Sequence, residues 1–196
     1  MKYRISLPVS LLLIAISSGL LSGCTAVVVG GAATGATIAH DRRTTGTFIE
    51  DKEILIEAMR IRNADEDLKQ RSNIQIDVYN MQVLLTGQAE DSALVGRYSD
   101  QVARIARVRK VLNEVSIGAE GTWSEATSDA YLTSKVKLAL FDVGIDGFDP
   151  LRVKVTTSQG TVYLMGLLTP AEADAVTDKV RYLSGVKRVV RLFEYI

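Results

Sequence analysis

The latter three-quarters of this 196-residue chain repeats itself, and that constrains its fold more than any other feature. With Asp51 set against Asp129, two stretches run in parallel with shifts of a single residue. Ile74-Gln75-Ile76-Asp77-Val78 matches Val153-Lys154-Val155-Thr156-Thr157. Gln82-Val83-Leu84-Leu85-Thr86-Gly87 matches Thr161-Val162-Tyr163-Leu164-Met165-Gly166, and Val108-Arg109-Lys110-Val111 matches Val186-Lys187-Arg188-Val189. A pattern used twice builds two small modules, not one large core.

Each copy reads as helix, strand, strand, helix, strand. In the second copy Leu132, Val136, Ala139 and Val143 recur at helical spacing, answered in the first by Ile54, Ala58 and Ile61. The next two segments alternate with period two across a tight polar turn, Thr157-Ser158-Gln159-Gly160 in copy two. Thr169-Pro170-Ala171-Glu172 carries a capping threonine, a proline at the first helical position and a glutamate reaching back, so a helix opens there. Copy one starts the equivalent helix at Asp91; its buried stripe is Val95, Tyr98, Val102 and Ile105, against Ala173, Val176, Val180 and Leu183. The expected class is α+β: two tandem αββαβ modules, each a three-stranded mixed sheet with two helices on one face. The boundaries are 51–117 and 129–196, with a polar, Gly-containing linker at 118–128.

The start of the chain has another character. Lys2 and Arg4 precede an apolar run of roughly a dozen residues that ends in Leu21-Ser22-Gly23-Cys24, the layout of a secretory leader over 1–23. The run is short of the ~20 residues needed to span a bilayer. Leu three residues before the chain's one cysteine resembles the lipobox of bacterial lipoproteins, which implies a lipidated (palmitate-type) Cys24. Thr25 follows where inner-membrane retention would use Asp, so the resemblance implies an outer-membrane address facing the periplasm. From 24 to 50 the sequence is Ala-, Gly- and Thr-rich and reads as a flexible tether, in which His40 stands without metal-ligating neighbours. Charge is balanced, 23 Lys plus Arg against 23 Asp plus Glu, which argues against nucleic acid. No phosphate loop, no nucleophile beside a base and no metal spacing occurs in the sequence. The expectation is no enzyme, no catalytic residue, no cofactor and no metal.

The order of elements, the glycines closing the second strand (Gly87, Gly166) and the Gly185-Val186-x-x-Val189 run resemble the BON domain. Copy one departs from it at Met81, where copy two has Gly160, and at Arg107, where copy two has Gly185. Two such modules behind a lipobox and a tether resemble dual-BON outer-membrane lipoproteins. The resemblance implies binding of an anionic phospholipid membrane through the first helix of the second module, support of envelope integrity and enrichment at the division site.

A helical wheel tests that implication. Stepping ~100° per residue, the core stripe falls within about 40° of Leu132, and Tyr131, Leu138 and Phe141 fall about 180° to 260° away. Lys135 and Lys137 flank them, and Trp123 precedes the helix, read over 129–142. A helix burying one face has no structural need of a second apolar stripe. In copy one the opposite face holds Ile56, Arg60, Glu53 and Lys52 and reads as solvated. The phospholipid-binding candidates are therefore Trp123, Tyr131, Lys135, Lys137, Leu138 and Phe141. Two other uses of the stripe stay open: packing against the other module, or docking of a protein partner from envelope-assembly, peptidoglycan-associated or division machinery. Gly87, Gly166 and Gly185 are read as structural, with valine at Gly166 expected to distort its module without removing a ligand contact.

Overall fold

The computed structural model describes residues 41–118 and 123–196. The first module opens with α1 (Thr45–Ala64), whose N-cap Thr44 accepts the Thr47 N–H. A one-and-a-half-turn helix, α2 (Glu66–Arg71), capped by Asp65, follows where the sequence reading has no element. β1 (Ser72–Tyr79) and β2 (Gln82–Ala89) make an antiparallel hairpin. α3 (Ser92–Ala103), capped by Asp91, crosses back over the sheet. β3 (Lys110–Asn113) and β4 (Ser116–Ile117) then both run parallel to β2, as one edge strand in two pieces.

The second module repeats this with α4 (Trp123–Leu140), β5 (Val153–Ser158), β6 (Thr161–Leu168), α5 (Pro170–Arg181) and β7 (Arg188–Tyr195). Its sheet order is β5-β6-β7, antiparallel then parallel, and the capping box at Thr169 and Glu172 is formed. The chain thus builds two αββαβ modules, each a mixed sheet with two long helices on one face, the first carrying the short α2 in addition.

The duplication extends to single hydrogen bonds. Asp51 on α1 accepts the backbone N–H groups of Asn80 and Met81 at 2.8 and 2.6 Å, and Asp129 on α4 accepts those of Gln159 and Gly160 at 2.6 and 2.8 Å. In both turns the two central residues have positive φ (51° and 62°, 53° and 76°), the twist that a two-residue hairpin favours. Met81 and Arg107 (φ 71°) therefore keep the backbone that Gly160 and Gly185 (φ 100°) adopt in copy two. The copies differ in side chain there, and the path of the main chain is retained.

Each module has a core between its helices and one sheet face: Ile54, Ala58, Ile74, Leu85 and Tyr98 in the first, Leu132, Val136, Leu164 and Val176 in the second. Tyr98 ties α3 to α1 by donating its hydroxyl to the Ala58 carbonyl at 2.8 Å, and burial raises its pKa. On α4 Leu140 is fully buried and Ala139 half-buried, and Val143, read from sequence as part of the helical stripe, lies half-buried beyond the helix end. A third cluster joins the modules. Tyr79 and Leu84 pack on Tyr163 and Met165, with Leu112, Leu167, Val190 and Leu192 around them, so the sheets meet through the faces turned away from their helices. β2 and β6 are consequently buried on both sides and do not alternate in polarity as the sequence reading expects. Polar pairs rim this contact: Asp77 takes Lys154 and Thr156 at 2.8 Å each, and Glu194 takes Asn80 at 2.7 Å and Arg109 at 3.0 Å.

Two boundaries read from sequence are revised. Residues 41–50 are not tether: α1 begins at Thr45, and the residues before it are fastened to both modules. Arg42 grips the Glu172 carboxylate with two hydrogen bonds of 2.7 and 2.9 Å and donates to the Leu167 carbonyl. Arg43 lies over the Tyr79 ring, 3.9 Å from its centre, and pairs with Asp41 and Asp51. The Arg42 hydrogen bonds, aided by the Thr169 cap, hold the Glu172 carboxyl down at about 2. Nor is 118–128 wholly linker, because α4 already starts at Trp123. The leader, Cys24, residues 25–39 and His40 lie outside the described residues.

Candidate functional site

α4 is amphipathic in two directions. Its inner residues Leu132, Val136 and Leu140 seal the second module's core, and Tyr131, Leu138 and Phe141 stand on the opposite side at 72%, 72% and 70% exposure. Tyr131 and Leu138, seven residues apart, share one line along the helix, and Phe141 follows in the turn that ends it. Because the modules meet through their sheets, this stripe takes no part in packing between them. Lys137 is exposed beside it, and Lys135 leans toward the α5–β7 corner, donating from Nζ to the Ser184 carbonyl at 2.8 Å. Trp123 opens the helix, and its side chain lies outside the described residues.

The counterpart face of α1 is less plain than the sequence suggests. Ile56 is joined by Ile49 and Met59, with exposures of 66%, 53% and 40%. Ile49 lies before Asp51, where the sequence repeat begins, in the first two turns of the helix. What separates the two faces is charge. On α1 the apolar side chains sit among the ion pairs Glu57–Arg60 (2.6 Å) and Arg107–Glu53 (3.5 Å), and on α4 among lysines. Tyr182, at the C-cap of α5 and 75% exposed, carries the Arg181 guanidinium 4.7 Å from its ring centre and has no signal in helical periodicity.

A groove of about 550 Å³ opens where α4, the β5–β6 turn and the α5–β7 corner converge, with Tyr131, Lys135, Gly160, Gly185 and Lys187 among its walls. The structural glycines divide by role. A Cβ on Gly87 (φ 101°) would lie 2.0 Å from the Asn73 carbonyl oxygen, and one on Gly166 would lie 2.8 Å from that of Arg152. Gly185 is set by its positive φ. Among the described residues no three His, Cys, Asp or Glu side chains are placed to hold a metal ion, and no helix is long and apolar enough to cross a membrane.

Fold and site together define a tandem αββαβ protein, its sheets packed back to back, whose candidate site is an exposed helix face with an adjoining groove. The BON domain pattern matches residues 56–119 and 128–196, and the chain belongs to the BON domain family. It is 33% identical over 177 residues to the outer membrane lipoprotein DolP of Haemophilus influenzae, covering 90% of each chain. It is 31% identical over 157 residues to the 21 kDa hemolysin of Actinobacillus pleuropneumoniae, covering 80% of this chain and 79% of that one. Among solved structures, CdsD, a structural protein of the type III secretion system of Chlamydia trachomatis, overlaps 74% of this chain and 63% of its own at 14% identity and a TM-score of 0.28. So slight a likeness bears on none of the readings below.

Proposed function

We propose that the protein is an outer-membrane lipoprotein, held by acyl chains on Cys24 and facing the periplasm, that binds anionic phospholipid through the outer face of α4 and supports envelope integrity. The observation that carries this is the stripe of Tyr131, Leu138 and Phe141, each about seven-tenths exposed and free of the inter-module contact. Large apolar side chains flanked by lysines suit the boundary between acyl chains and anionic headgroups. The length and lipoprotein character of the Haemophilus relative support the anchoring part. In this reading the α4 surface binds a membrane and performs no reaction.

Residues 25–196 contain the whole described body and lack the anchor, so binding by that chain is independent of the acyl chains, and substitutions on α4 assign it to that face. Vesicles of phosphatidylglycerol and phosphatidylcholine should shift the emission of Trp123, the chain's one tryptophan, to the blue, and pure phosphatidylcholine should do so less. Leu138→Glu and Tyr131→Glu should each weaken binding about tenfold or more, a loss of at least ~1.4 kcal/mol. A flat emission response to both vesicles, or affinities untouched by either substitution, gives the stripe to a protein partner in envelope-assembly machinery.

A further inference from the structure

The same groove exists in both modules, and the two copies have opposite character. In the first it is walled by Glu50, Glu53 and Glu57 of α1 and by the α3–β3 corner. Arg107 of that corner reaches back across it to Glu50 at 3.3 Å and Glu53 at 3.5 Å, so these opposed charges satisfy one another, Glu57 pairs with Arg60, and Arg104 also lines the groove. In the second module the residue equivalent to Arg107 is Gly185, and Ser128, Tyr131 and Lys135 replace the glutamates. The bridging arginine is gone and the acidic wall has become basic.

Lys187 supplies the other wall. Its stem lies over Gly160, 3.0 Å from where a Cβ would be, a position that a side chain there would obstruct. Neither Lys135 nor Lys187 pairs with a carboxylate among the described residues. Asp129, the acid in the groove, has both oxygens occupied by the turn N–H groups of Gln159 and Gly160. Lys135 gives one of its three donors to Ser184 and keeps two. Tyr131 belongs to both groove and outer stripe, so the two surfaces are continuous.

We infer that the groove is a binding site for the headgroup phosphate of a single anionic phospholipid, held between Lys135 and Lys187 while Tyr131, Leu138 and Phe141 meet its acyl region. This rests on the membrane-binding reading and adds to it a discrete, saturable site. Its volume lies within the range of small-molecule sites. Charge complementarity and continuity with the apolar stripe select a lipid over a free anion. The paired Glu–Arg charges make the first module's groove a built-in control.

The test uses isotope-labelled residues 25–196 and monomeric dihexanoyl-phosphatidylglycerol below its micelle concentration. Saturable amide shifts are expected at Gly160, Ser184, Gly185 and Lys187, and none at Ala106 or Arg107. Lys187→Gln should raise the apparent Kd about tenfold, the weight of one charge-assisted hydrogen bond, and Lys110→Gln, which removes the same charge from the first module, should leave it within about twofold. Equal shifts with inorganic phosphate, shifts confined to the outer face of α4, or an affinity indifferent to Lys187→Gln would each overturn the groove while vesicle binding by α4 still stood. A wild-type chain that ignores anionic vesicles overturns both readings together.

Discussion

Gly87 and Gly166 occupy matched positions, yet the backbone asks different things of them. Gly87 combines a positive φ with a carbonyl oxygen 2.0 Å from the missing Cβ, and Gly166 meets only a 2.8 Å approach. Relief of the first contact requires β1 and β2 to part at Ile74 and Gly87, which face each other across the hairpin. Gly87→Ala should therefore destabilise the protein by about 3 kcal/mol or prevent folding of the first module, and Gly166→Ala by about 1–2 kcal/mol. Urea unfolding of the two variants checks the order; equal losses would show that the two contacts relax alike. Arg107 carries the complementary lesson. Read as a departure from the glycine pattern, it keeps the left-handed turn and uses its side chain to bridge a groove that Gly185 leaves without a bridging charge.

At the scale of elements, the face of β2 turned to the other module holds one imperfection. Thr86 is fully buried, and its hydroxyl is the buried side-chain oxygen without a hydrogen-bond partner among the described residues. Valine has nearly the same shape and no such oxygen. Thr86→Val should stabilise the protein by about 1 kcal/mol, read as a raised thermal midpoint; a lowered one would mean that the hydroxyl is satisfied in solution. The sheet contact around Thr86 was legible in part. Val83-Leu84-Leu85 and Val162-Tyr163-Leu164-Met165 are unbroken apolar runs, the mark of a strand covered on both faces, and a search for alternation passes over it. The repeat, the helix caps and the stripe on α4 could be read because each rests on local spacing. The aspartates that cap the hairpins and the groove could not, since each depends on residues brought together from about thirty or more positions away.

The two modules act as one body partly through a fastening that composition conceals. Arg42 and Arg43 look like the polar end of a linker, but one reaches Glu172 of the second module and the other Asp51 of the first. Glu172 binds its proton at about 2 when folded, below its ordinary 4.5, so the folded form is favoured wherever the carboxylate is charged. That stability is complete above the ordinary range and drains away as pH falls from about 4.5 toward 2. Arg42→Ala should then cost about 2 kcal/mol at pH 7, with the difference from wild type shrinking steadily below pH 4.5. Urea unfolding at pH 7, 4 and 2.5 checks it; a gap constant with pH would assign the loss to packing by the arginine stem.

The position of that fastening has a mechanical consequence. Any pull arriving through the residues before Asp41 reaches Arg42 and Arg43 before it reaches the first turn of α1. The force divides at once between Glu172 in one module and Asp51 in the other, so both are drawn in the same direction. A joint between two sheets resists such common traction far better than peeling from one edge. The body can therefore be tugged as a unit by whatever holds its N-terminal end, while the outer face of α4 keeps its own orientation.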